Sequence, residues 1–320
     1  MRRLAALLFV STLLAVQLVA LYAPEPVAAT TGWWNADFTR RRPIVINATA
    51  VGENLSNYQV ALNITYDSDM QSDFADVRFV WYNSSSGSWV ECSYWLENKS
   101  DGSWAYVWVK MPEILAGKYY SADNTSLFMY YGNSAASSES DGKSTFLVFD
   151  DFDDGIMDAN WVVVEGSWSE SGGYMSTSSA EQWNKLVWDV ADYANISIIW
   201  KVYPYSDSVS RYGAAIARYQ DANNMYFAGP NDYAEEIQIW RDSAGDYTKI
   251  GYAECGIYTQ TWYRCEMNLY GNTITLEISG GNTGSTSATD TTFTSGKVGL
   301  LCYAQHDYDW FAVRKYTDPE

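Results

Sequence analysis

Glu266 and Glu277 flank Gly271-Asn272 in a stretch of alternating character, Trp262 to Ser279. A Gly-Asn pair suits the centre of a two-residue primed hairpin turn. That turn pairs Tyr270 with Thr273, Leu269 with Ile274, Met267 with Leu276 and Cys265 with Ile278. The apolar members share one face, so the register is self-consistent. The other face carries Trp262, Arg264, Glu266 and Asn268 against Glu277 and Thr275, with Glu266 directly across from Glu277. Like charges so placed repel. Arg264, a divalent cation or protonation of one carboxyl would offset the repulsion. Protonation would give an acid and a base, at the ~5 Å separation that retaining glycosidases use. The plainer reading is a solvated sheet face with Arg264 between two acids.

Other residue types suit binding. Alternation over Glu236 to Asp242 puts Gln238 and Trp240 on one face and Ile237 and Ile239 on the other. A Trp on a polar face suits stacking against a sugar ring, with amides and acids for the hydroxyls. Trp262 leads a polar face in the same way, so the two could form one platform; packing under loops is the alternative. Asp150, Asp151, Asp153 and Asp154 offer oxygens for calcium, which takes six to eight. The spacing is not that of an EF-hand, because the residue eleven after Asp150 is Trp161. An exposed acidic turn is the alternative. His306 is the single histidine, and no Gly-x-Ser-x-Gly or Cys-x-x-Cys occurs. It reads as a loop residue or ligand contact, and zinc chemistry is unsupported. Asp76, Arg78, Glu97 and Lys110 read as structural ion pairs on strands.

These residues need strands to position them. After the first 29 residues there is no long helical period, only short alternating runs bounded by Gly, Asn, Asp and Ser. Residues 60–64, 77–81, 106–110 and 127–131 read as strands of a first domain, residues 30–135. A Ser-rich joint, 136–144, leads to a second domain, 145–320, and its shortness predicts that the domains touch. The fold class is all-β: two tandem, jelly-roll-like β-sandwiches.

Residues 33–133 resemble an uncharacterised domain family of secreted archaeal and bacterial proteins. The motifs are Asp76-Val77-Arg78-Phe79, Trp95-x-Glu97, Trp108 to Pro112 and Tyr130-Tyr131-Gly132-Asn133. That resemblance implies no chemistry. Residues 145–316 resemble concanavalin A-like lectin and glucanase jelly rolls. There the motifs are Asp150-Asp151-Phe152, Ala217-Arg218-Tyr219-Gln220-Asp221, Trp262-Tyr263-Arg264 and Gly296 to Leu300 with Asp309. The resemblance implies sugar or protein binding, with Arg218 among the binding residues. It also implies adjacent first and last strands, which would bring Asp309 to Asp150 and Asp151. Laminarinase-type members carry Glu-x-Asp-x-x-Glu on one strand, which this chain lacks.

The chain opens with Met1-Arg2-Arg3 and an apolar run to Tyr22, then breaker prolines and Val27-Ala28-Ala29. That order predicts a secretory signal cleaved after Ala29; an uncleaved anchor is the alternative. Seven Asn-x-Ser/Thr sequons, at Asn47, Asn54, Asn63, Asn83, Asn98, Asn124 and Asn195, predict a glycan-bearing surface and an archaeal or eukaryotic source. Net charge is −19, and one unit more negative without residues 1–29. Such a surface excludes nucleic acid and anionic lipid as partners. Aromatic content of 16% excludes disorder. Export permits disulfides, and Cys255 and Cys265 flank a short connection, which favours that bridge among three pairings.

Together these features predict a secreted or cell-surface, non-catalytic glycan-binding protein. Trp240, Trp262, Arg264, Glu266 and Glu277 would line its site, with calcium at Asp150, Asp151 and Asp309. The alternatives are a self-assembling surface subunit built through exposed strand edges, and a glycoside hydrolase using Glu266 and Glu277.

Overall fold

A computed structural model describes residues 32–122, 125–177, 182–205 and 212–320. The leader and Asn124 lie outside the described residues. Nine strands come from the first half: β1 (Arg40–Pro43), β2 (Ile46–Ala48), β3 (Leu55–Thr65), β4 (Arg78–Asn83), β5 (Ser88–Cys92), β6 (Tyr94–Ser100), β7 (Trp104–Ile114), β8 (Lys118–Tyr120) and β9 (Leu127–Tyr131). They form a sheet β1-β9-β4-β5, a sheet β3-β7-β6 and the pair β2-β8.

After a one-turn helix, α1 (Gly142–Thr145), come β10 (Val148–Asp150), β11 (Trp161–Glu165), β12 (Trp168–Ser171), β13 (Tyr174–Thr177), β14 (Trp183–Tyr193), β15 (Ile196–Pro204), β16 (Gly213–Asp221) and β17 (Asn224–Asn231). The rest are β18 (Glu236–Ser243), β19 (Asp246–Glu254), β20 (Tyr263–Tyr270), β21 (Thr273–Gly280), β22 (Gly284–Thr289), β23 (Gly296–Tyr303) and β24 (His306–Lys315). An eight-stranded sheet runs β12-β13-β24-β15-β20-β21-β22, with β10 also on β24. A seven-stranded sheet runs β11-β14-β23-β16-β17-β18-β19. No sheet of the described residues mixes strands of the two halves. None of the described helices is long and apolar enough to cross a membrane.

Side-chain alternation explains the layering. Successive strand residues point to opposite faces. Along β7, Ala105, Val107, Val109 and Met111 enter the first sandwich's core. Tyr106 and Trp108 point the other way, into an aromatic cluster shared with the second half. The expected strands fall where alternation put them, except that Val77 closes a turn through its amide to Phe74 O (3.3 Å). In the second sandwich, Ile198, Trp200 and Phe311 of one sheet pack against Leu186, Ala215 and Ile239 of the other. The β20–β21 hairpin has the expected register, Glu266 opposite Glu277 included.

One expectation is corrected. Cys255 and Cys265 form no disulfide: all four cysteines are free and buried. The connection between these two does not fold back on one sheet. It crosses from β19 in the seven-stranded sheet to β20 in the eight-stranded sheet. Each thiol packs in its own place, Cys265 paired across strands with Trp200 and Ile278, Cys255 beside Gly284. The short joint is itself held in place. Arg78 donates to Ser137 O (2.7 Å) and to Glu139 (2.9 Å), pinning it to the first sandwich. Asp141 caps α1 by accepting from the Ser144 amide at 3.0 Å. A Cβ on Gly142 would meet the Phe149 ring at 2.3 Å, so only glycine lets that ring in.

Candidate functional site

The hairpin face that carries Arg264 and Glu266 is not simply solvated, because the first sandwich docks on the outer side of the eight-stranded sheet. Its centre is dry. Trp95 makes edge contacts with Phe149 (4.9 Å) and Trp310 (5.1 Å), and Trp108 with Phe146 (5.8 Å). Each such pair contributes about 0.5–1.5 kcal/mol beyond its area. Ile199 and Ala312 complete the patch.

A polar network borders it. Glu97 on β6 accepts from Trp108 Nε1 (2.7 Å) and from Arg264 Nε (2.5 Å) and Nη2 (3.3 Å). Arg264 also pairs with Glu266 at 3.1 Å. Glu266 accepts further from Ser197 Oγ (3.0 Å) and Arg314 Nη2 (3.0 Å). Arg314 lies over the Trp108 ring at 5.0 Å and pairs with Glu320, which also accepts from Tyr58. Gln59, fully buried, donates to Thr145 O (2.8 Å) and accepts from the Lys315 amide (3.1 Å).

The two glutamates are thus split. Burial would raise the Glu266 carboxyl, but Arg264 and then Arg314 hold it down at about 2. Burial, and then Glu266, push Glu277 upward. Both Glu266 oxygens are committed to ion pairs, which leaves no free nucleophile there. A cavity of about 300 Å³ opens beside them, with Glu266, Asn268, Glu277 and Arg314 on one side and Tyr58 and Tyr106 on the other.

Trp240 is elsewhere. It lies on the outer face of the seven-stranded sheet, the side away from the docked first sandwich. Its indole is parallel to Phe227 (6.1 Å, 2°), and Tyr212 meets both edge-on. Trp183 stacks on Tyr212 (5.4 Å) and Tyr247 (5.7 Å). The half-buried rings of Trp183, Tyr212 and Trp240 cover a floor of Ile216, Phe227 and Leu301. A relay fixes the Trp240 end. Trp240 Nε1 donates to Gln238 Oε1 (2.8 Å), which also accepts from Asn231 (3.2 Å). Gln238 Nε2 donates to Glu236 (2.6 Å), which accepts from Lys249 (2.7 Å) and is held below the usual carboxylate range by Lys249 and Gln238. The arrangement is a preorganised aromatic surface with amide, carboxylate and ammonium at one end.

The remaining candidates are dispersed. Trp262 precedes β20 on the opposite sheet, so it shares no platform with Trp240; it packs against Tyr203 (5.1 Å), Tyr174 (5.4 Å) and Lys201 (5.0 Å). Arg218 is a buried brace, not a ligand contact: its guanidinium donates to the carbonyls of Phe293, Ala194 and Gly271. His306 starts β24 and is buried, where a loop position was expected. Asp150 pairs with Phe311, so the first and last strands do meet. Yet Asp150 accepts from Trp161 Nε1 (2.8 Å), while Asp309 turns to Lys201 (2.6 Å). Among the described residues no group of three or more His, Cys, Asp or Glu is arranged to hold a metal.

In the first sandwich, Asp76 accepts backbone amides of Gln71, Gly132 and Asn133 instead of pairing with a cation. Lys110 donates to Ser144 O rather than to an acid. Sequence reasoning missed Glu97, Trp108 and Arg314 as a docking network. The available signal was β7, whose two faces are both too apolar for one to meet water.

Residues 73–170 match a family described as a domain of unknown function (DUF2341). The match overlaps the expected stretch and continues past the joint to β12. No curated protein matches the chain in sequence. Among solved structures, the carbohydrate-binding module CBM66 from Bacillus subtilis is similar, with 16% identity and a TM-score of 0.45, over 49% of this chain and 96% of that one. The GH43 protein BlXynB from Bacillus licheniformis is similar at 16% identity and TM-score 0.42, over 72% of this chain but 47% of that one. A β-glucanase from Bacillus licheniformis has 12% identity and TM-score 0.40, over 52% and 97%.

Proposed function

We propose that this is a non-catalytic glycan-binding protein of the secreted or cell-surface kind, reading sugars on the outer face of its seven-stranded sheet. The observation that carries the reading is the aromatic surface from Trp183 to Trp240, ending in the Gln238–Glu236–Lys249 relay. Sugar rings present apolar faces to aromatic rings and hydroxyls to amides and carboxylates. Export fits the sequons: Asn47, Asn54, Asn63, Asn98 and Asn195 are exposed and Asn83 half-exposed. The committed state of Glu266 weighs against the hydrolase reading.

The test is a broad glycan array probed with residues 30–320, with and without calcium, and light scattering in the same buffers. Binding by a monomer that Trp240→Ala reduces about tenfold or more, with the melting temperature retained, supports the proposal. Calcium belongs to it only if chelation lowers binding or stability. Absence of glycan binding together with large ordered assemblies would replace it with a structural subunit.

A further inference from the structure

The cavity between the sandwiches is unbalanced in charge. Glu266, Glu277, Asp318 and Glu320 line it, against Arg314. Arg314 is already shared by Glu266 and Glu320. The half-exposed side chain of Glu277 has no hydrogen bond or ion pair among the described residues. Next to it on the sheet, Asn268 is 8% exposed. Its Nδ2 donates to Thr275 Oγ1 at 3.3 Å, while its Oδ1 is buried and accepts nothing. One buried acceptor without a donor and one half-exposed carboxylate without a partner among the described residues therefore line one cavity. The opposite wall is apolar and aromatic, with Val60, Ala61 and Tyr106. At about 300 Å³ the space suits one small molecule and not a chain.

We infer that this cleft binds a small amino sugar with a free ammonium group. The ammonium sits between the Glu277 carboxylate and Asn268 Oδ1, and the ring lies against Tyr106. An ammonium supplies three donors and the missing positive charge. This site is on the opposite sheet from the proposed glycan face and does not depend on it.

The test is calorimetric titration of residues 30–320 at neutral pH with glucosamine, N-acetylglucosamine, glucose and putrescine. Glucosamine should bind, and N-acetylglucosamine and glucose, which lack the charge, should not. Glu277→Gln, which removes a like-charge repulsion and should fold, is expected to weaken glucosamine about tenfold or more. Trp240→Ala should leave it unchanged, which separates this site from the glycan face. Absent glucosamine binding, equal affinity for glucose, indifference to Glu277→Gln or sensitivity to Trp240→Ala would each overturn the inference. Putrescine binding as tightly as glucosamine would overturn the sugar assignment.

Discussion

Arg264 of the second sandwich and Glu97 of the first face each other as a fork, with Nε to Oε1 at 2.5 Å and Nη2 to Oε2 at 3.3 Å. Glu97 retains 6% side-chain exposure, so its charge depends on this partner and on the Trp108 indole. Glu97→Ala should therefore destabilise the chain by about 3 kcal/mol, since it leaves the Trp108 indole N–H without its acceptor and the half-buried Arg264 with Glu266 alone. Urea denaturation measures the loss. An effect below about 0.5 kcal/mol would mean that the aromatic patch alone holds the sandwiches together.

Gln238 is 2% exposed and joins Trp240, Asn231 and Glu236. Gln238→Ala leaves the indole N–H and the Asn231 amide without an acceptor. Stability should fall by about 1–3 kcal/mol. Glycan affinity should fall with it even at temperatures where the variant is fully folded, because the Trp240 ring is no longer held. Unchanged affinity would separate the ring's orientation from recognition.

The four thiols should react with a thiol reagent only after unfolding, and reduction should leave the mass and the melting curve unchanged. Burial pushes Cys92 and Cys302 up to about 12 and raises Cys265 strongly as well, well above the range in which thiolates attack. A mass gain of two hydrogen atoms on reduction would reinstate a disulfide.

Glu170 should make stability fall as pH rises. Burial, then Asp150 and Asp154, raise its carboxyl to about 7. The folded state thus holds the proton more tightly than the unfolded state, whose value is near 4.3. The stabilisation is complete below about pH 4 and is lost as pH rises to about 7. Glu170→Gln should flatten that part of the melting-temperature profile and melt higher than wild type at pH 8. A parallel profile would assign the pH dependence to other groups.

Local rules made much of the fold legible. Gly271-Asn272 with its flanking alternation dictated the pairing of β20 and β21 down to each residue, because the turn and the apolar face demand one register. Trp240 on a polar face was visible for the same reason. What the sequence could not reveal was which layer covers which face. Arg264 and Glu266 read as solvent-exposed because their partners, Glu97 and Arg314, are distant in the chain. Trp183, Tyr212 and Tyr247 join Trp240 only through the strand order β14-β23-β16-β17-β18-β19, which alternation does not encode. Cys255 and Cys265 misled in the same way, being near in sequence but in different sheets.

The ring of Phe149 in the space left by Gly142 bears on how such a protein can be divided or inherited. Severing the chain at the joint would leave Trp95 and Trp108 bare on one piece and Phe149, Ile199 and Trp310 on the other. Either fragment alone would be prone to clump. The two sandwiches are therefore not interchangeable building blocks: a donor gene passing on one would have to pass on the matching surface of the other. The DUF2341 match, residues 73–170, runs across this seam rather than stopping at it.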